Sequence, residues 1–212
     1  MKNTKHKIIL IANSDHAFDI NQHITDQDII VRFNYPKPST LETTGQRTDI
    51  LFLANAVDIV QKKLRENSKF MRFIQNKQKN LLIVFPYSDD LIKINKPQYK
   101  KKIMLFFRKL TDNFNNSYYL NFLISRGYQV KVMPEQYYFD LKTKIQYESK
   151  NILSTGVLAT YFFLHHPQYQ NYKIYLHGFS FEGWDGHDWD KEKKYIHSLI
   201  QMGSIHTFPK TT

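Results

Sequence analysis

The sequence predicts an α/β protein with a Rossmann-like, mostly parallel central sheet flanked by helices. Three observations carry this. Short apolar runs rich in β-branched residues recur along the chain, most are uninterrupted rather than alternating, and segments with helical spacing lie between them. A strand covered on both faces has no use for a polar residue at every second position, so continuous apolar runs fit a parallel sheet. Strands alternating with helices complete the pattern.

Taken in order, the expected strands are Ile8 to Ala12, Ile29 to Phe33, Ile50 to Leu53, Leu81 to Phe85, Gln129 to Met133, Lys173 to His177 and Ser204 to Phe208. Four helical segments lie among them. Val57, Ile59, Val60 and Leu64 form one apolar face, and Leu120, Phe122, Leu123 and Ile124 belong to a segment ending at Gly127. Thr155 to His165 is stopped by Pro167. Trp189 to Gly203 carries Asp188, Asp190 and Glu192 at its start, where the helix dipole favours negative charge.

The chain has 212 residues, of which 42% are hydrophobic and 15% aromatic, enough to bury a full core, so a disordered tail protein is excluded. Gly and Pro are sparse, and neither linker nor repeat is visible, so residues 1–212 read as one domain. Thirty Lys and Arg against nineteen Asp and Glu leave +11, which points to an anionic partner. The absence of cysteine excludes disulfides and cysteine-ligated zinc. The apolar run Ile8 to Ala12 is too short for a signal or a membrane span, so a cytoplasmic location is expected.

Ligands of open α/β sheets bind at the carboxyl ends of the strands, so the residues there are the candidates. Asn13-Ser14-Asp15 follows the first strand without the Gly-rich dinucleotide fingerprint, which argues against NAD and FAD. Arg32 and Asn34 end the second, where the arginine can pair an anion or brace the polar loop Tyr35 to Thr48. Ser154-Thr155-Gly156 opens the third helical segment. These residues serve as a helix cap or as an anion site, with Gly156 admitting a ligand close to the backbone. His187 stands just before the last helix, where an imidazole can act as a general base, and Glu192 is placed to bond back to backbone N–H groups and fix the loop that carries it. The remaining histidines lack metal-ligand spacing, and Asp89-Asp90 reads as a helix cap or turn, so no metal and no cofactor are expected.

In their order along the chain these pieces resemble the sialylmotifs of the animal-type sialyltransferase family and its bacterial sialyltransferase-like or Kdo-transferase-like relatives. Ile8 to Asp49 is similar to the large motif, with Asn13, Arg32-Phe33-Asn34 and Gly45 to Thr48 in place. Ile152 to Phe179 is similar to the small motif, and His187 to Glu192 to the very small one. The resemblance implies a glycosyltransferase A-type variant that moves a sialic acid or Kdo from its CMP-activated donor to a glycan hydroxyl, inverting the anomeric centre without a metal. It further implies donor contacts at Asn13, Ser14, Arg32, Asn34, Ser154, Thr155 and Gly156, with His187 as the base. Two departures stand out: Ala12 replaces a glycine, and no His-Tyr motif lies between Ser180 and His187, which leaves His177 or Tyr175 as guesses for the group that assists phosphate departure.

Lys93, Lys96, Lys100, Lys101, Lys102, Arg108 and Lys109 cluster around the apolar run Ile103 to Phe107. They read either as the solvated face of an amphipathic helix or as a peripheral contact with the inner membrane or a phosphorylated lipooligosaccharide or capsule acceptor. Competing readings are a catalytically silent nucleotide-binding relative and a basic nucleic-acid-binding protein. The second lacks any recognition signature, so no nucleic-acid partner is expected.

Overall fold

A computed structural model describes residues 6–15, 17–55, 63–64, 68–77, 80–94, 116–148 and 152–209. Seven parallel strands form one sheet: β1 (Lys7–Ile11), β2 (Ile29–Phe33), β3 (Ile50–Phe52), β4 (Leu82–Phe85), β5 (Gln129–Val132), β6 (Lys173–His177) and β7 (His206–Thr207). Their order is β5-β4-β3-β2-β1-β6-β7, so β1 lies in the interior of the sheet between β2 and β6, and the strand order reverses its direction of travel on either side of it. All seven expected strands are present, and every pair is parallel.

Burial follows position in the sheet. Ile8, Ile9 and Leu10 of interior β1 are completely inaccessible, whereas β5 exposes Gln129 and Lys131 at one edge. An edge strand has one unpaired side and tolerates polar residues, which explains the weaker apolar run there.

The described α-helices are α1 (Pro38–Thr44), α2 (Lys69–Gln75), α3 (Asp89–Ile94), α4 (Asn116–Ile124), α5 (Gln136–Lys144), α6 (Thr155–His165) and α7 (Trp189–Gln201). Helices α4, α6 and α7 match the expected segments. Gly127 and Gly203 end α4 and α7 with positive φ, and Tyr128 and Ser204 donate back to Leu123 and Leu199 in the six-to-one bond that closes such ends.

Three elements correct the sequence reading. The loop Tyr35 to Thr48 contains α1, started by Pro38 at its first turn, and α2 and α5 arise where no helix was expected. Asp89 and Asp90 occupy the first turn of α3. Of the segment 57–64, Leu64 is buried, and the other face residues lie outside the described residues. Lys93 is described and pairs with Asp90 at 2.9 Å, while Lys96, Lys100, Lys101, Lys102, Arg108 and Lys109 lie outside the described residues.

Parallel pairing has one consequence for function. Every strand ends on the same edge, so the turns after β1, β2 and β6 and the start of α6 gather on one rim.

Candidate active site

The rim is laced together by backbone contacts. Ala12 N donates to His177 O at 2.9 Å and Ser14 N to Gly178 O at 3.1 Å, joining the turns after β1 and β6. Gly178 has φ +69°, and a Cβ there would lie 2.9 Å from Ala12 O. Close approach of these two turns therefore rests on glycine at 178, which explains how alanine is accommodated at position 12.

Asn13 spends its amide on the neighbouring turn. Its Nδ2 donates to Phe33 O at 3.0 Å and Tyr35 O at 3.4 Å, and its Oδ1 accepts from Lys37 N at 3.3 Å. It shapes the loop between β2 and α1. Asn34, at φ 55°, accepts from Ala54 N at 3.1 Å and from the Lys63 ammonium at 2.7 Å, both on Oδ1. Lys63 is half-buried, and loss of hydration brings its pKa down to about 8. Periodicity draws attention only to the apolar face of its segment, and Lys63 lies eleven residues past the end of β3, so no local signal marks this cation.

Arg32 is corrected. It was expected at the donor, yet its guanidinium is inaccessible and bonds to Arg47 O, Thr44 Oγ1, Thr44 O and Gly45 O at 3.1, 2.9, 3.0 and 2.7 Å. Burial lowers its pKa to about 10. Of the two sequence readings, brace and anion partner, the geometry is that of the brace.

The start of α6 is held on several sides. Ser154 caps the helix by accepting from Val157 N at 3.3 Å, and Tyr87 donates to Leu153 O at 2.8 Å while its hydroxyl also bonds the Thr155 side chain. Gly156 is corrected too. The face expected to admit a ligand is filled by the Phe179 ring, whose Cε1 would stand 2.8 Å from an added Cβ. Phe179 in turn packs edge-on against Phe33, with centroids 5.9 Å apart, and so ties α6 to the end of β2.

Glu192 departs from its expected bonds. It is fully buried, and its Oε1 accepts from Ser154 N at 2.8 Å rather than from its own helix, where Asp188 serves as the cap. The Tyr147 hydroxyl stands 3.0 Å from both Glu192 Oε1 and Ile152 O and accepts from Asp188 N at 2.7 Å. The loop before α7 is thus fixed through Tyr147, which sequence reasoning missed because nothing in its neighbourhood repeats or caps. Oε2 of Glu192 has no hydrogen bond, and burial pushes the carboxyl up to about 7 despite the bonds to Ser154 and Tyr147.

His187 lies on this same scaffold. Its Nδ1 meets Ile152 O at 2.5 Å, two residues before the Ser154 cap, while Ile152 N donates to Gly186 O at 3.0 Å. A carbonyl can only accept, so Nδ1 carries the proton and Nε2 keeps its lone pair. Desolvation holds the imidazole below its ordinary pKa, against the smaller opposing effect of the Ile152 carbonyl, so it is neutral at pH 7. The rings of Trp184 and Trp189 flank it at 5.0 and 4.7 Å.

Other candidates fall elsewhere. His177 is buried between Phe18 and Phe208, and Tyr175 stacks on Phe208. A cavity of about 190 Å³, lined by Phe162, Phe163, His166 and Lys131 among others, sits at the opposite end of α6 from Ser154. No group of three or more potential metal ligands occurs among the described residues.

Several solved structures share this architecture. The sialyltransferase CstII from Campylobacter jejuni in complex with CMP-3FNeuAc superposes with a TM-score of 0.51 at 15% identity, over 95% of this chain and 78% of that one. The α-2,3-sialyltransferase of C. jejuni in apo form gives 0.54 at 15% identity over 98% and 76%, and the monofunctional Cst-I gives 0.53 at 13% over 97% and 76%. The chain shares the fold of these Campylobacter jejuni sialyltransferases. No protein-family model and no curated sequence matches the chain, so the animal-type motif resemblance does not extend to a family match.

Proposed function

We propose that the protein is an inverting, metal-independent glycosyltransferase that moves a sialic acid, or a Kdo-like ulosonic acid, from its CMP-activated donor to a glycan hydroxyl. The observation that carries this reading is the state of His187, a neutral imidazole with Nε2 as its free basic nitrogen, tied through Ile152 to the start of α6. The bacterial sialyltransferase fold supports the substrate class.

The chemistry needs one base. The acceptor O–H gives its proton to His187 Nε2 as its oxygen bonds to the anomeric carbon, the anomeric C–O bond to phosphate breaks, and CMP leaves with that electron pair. A single attack on the face opposite CMP inverts the centre. The leaving group is a monophosphate rather than a pyrophosphate, so positioned cations and N–H groups suffice to stabilise its charge. Lys63 with Asn34 supplies the cation on the β2 side of the rim. Ser14 and the backbone at the start of α6 form the rest of the donor wall, which Asn13, Ser154 and Thr155 shape through the bonds they make within the rim, while Arg32 and Gly156 act behind it through Thr44 and Phe179. Glu192 and Tyr147 are positioning residues.

The test is His187→Asn with CMP-sialic acid and CMP-Kdo offered as donors. Transfer should fall by about a hundredfold or more while calorimetric CMP binding persists. Unchanged transfer removes the base assignment, and absence of CMP binding by the native protein removes the donor class.

A further inference from the structure

Trp184 is a large aromatic side chain left 61% exposed, on the loop that carries His187. Free exposure of an indole wastes the burial that usually recommends the residue, and Trp is favoured where one part is apolar and another wet. Its position is defined in spite of that exposure. Trp184 O accepts from His187 N at 3.2 Å, closing a turn over residues 184–187, and the indole and imidazole make a T-shaped contact, centroids 5.0 Å apart and planes at 90°. Gly186 makes this possible, since a Cβ there would overlap the six-membered ring of Trp184. The same turn is fastened to the scaffold by Ile152 N on Gly186 O and by His187 Nδ1 on Ile152 O. Trp189 closes the inner side of the imidazole at 4.7 Å, so Trp184 forms an outer wall beside it.

We propose that Trp184 is the platform of the acceptor subsite, stacking the apolar C–H face of a pyranose ring beside His187. This rests on the transferase reading and deepens it by naming what holds the acceptor. An electron-rich indole face attracts the slightly positive axial C–H groups of a sugar, and the stacked ring sheds water on both surfaces. Orientation is the larger gain: a ring held on Trp184 is kept beside the imidazole, whose centroid stands 5.0 Å from the indole, and a base acts only on a hydroxyl within hydrogen-bond reach.

The chain contains two Trp, so Trp189→Phe leaves Trp184 as the only indole. Its emission is titrated with the methyl glycosides of galactose, glucose, N-acetylgalactosamine and heptose in the presence of CMP. Saturable change with at least one of them is expected; no change with any of the four overturns the proposal. In steady-state transfer to the glycoside that binds, Trp184→Ala should raise the acceptor KM by about tenfold, with the donor KM and CMP affinity unchanged. An unchanged acceptor KM also overturns it. Failure of the native protein to bind CMP strikes the transferase reading instead, so the two failures are separable.

Discussion

At the residue scale, two titrating groups sit one bond apart from the same turn and move in opposite senses. His187 is held below its ordinary value of 6.5 by desolvation, so it stays basic at neutral pH and transfer should decline only as pH falls below that value. A pH–rate profile whose acidic limb lies above 6.5 would contradict this. Glu192 is raised from 4.5 to about 7, again by desolvation. Between those two values the folded chain binds the proton that the unfolded chain has lost, so the buried carboxyl contributes less stability as pH rises through the window. Glu192→Gln removes that titration. Denaturant midpoints of the variant and the native protein should diverge in favour of the variant between pH 4.5 and 7, by at most about 3 kcal/mol. Parallel midpoints across that range would show that Glu192 does not titrate there. Lys63 offers a third handle: Lys63→Met should weaken CMP affinity several-fold in calorimetry while leaving affinity for uncharged cytidine unaltered, as expected of a charge contact.

At the element scale, the rim is positioned by packing that its own residues do not reveal. Arg32 fastens β2 to the end of α1 by four hydrogen bonds, and a shape-matched apolar residue leaves those acceptors bare. Arg32→Met should cost roughly 2–4 kcal/mol in equilibrium unfolding, since buried polar groups left unpaired are among the few causes of losses that large. Gly156 fastens α6 to the turn after β6. Gly156→Ala drives a methyl group into Phe179, and the cost should be about 1–3 kcal/mol, relieved by Phe179→Leu in the double variant. Additive losses in that cycle would argue against the contact. The helix ends were legible beforehand where Gly127, Pro167 and Gly203 punctuate the chain; α2 and α5 were not, because seven and nine residues span about two turns, too short for the spacing of Phe70, Met71 and Ile74 or of Tyr138 and Leu141 to stand out as a period.

At the scale of the whole molecule, a net charge of +11 surrounds a rim proposed to receive an anionic sugar nucleotide. Charge of that size accelerates encounter rather than tightening the final complex. Raising ionic strength from about 20 mM to about 500 mM should slow CMP association several-fold in stopped flow, with dissociation little changed. Equal association rates at both salts would detach the charge from donor capture. No described helix is long and apolar enough to cross a membrane. The sequence by itself determined the strands and their parallel sense, because an interior strand buried on both faces is apolar on consecutive residues; the edge strands β5 and β7 carry that mark only weakly. It also determined which turns share a rim, since parallel strands all end on one edge. Only the tertiary structure decided what those turns hold. Glu192 reaches Ser154 across 38 residues and Lys63 reaches Asn34 across 29, while Phe179 covers Gly156 and Tyr147 bridges to the loop of His187. Such partnerships arise from three-dimensional proximity between side chains distant in the chain, and local periodicity carries no record of them.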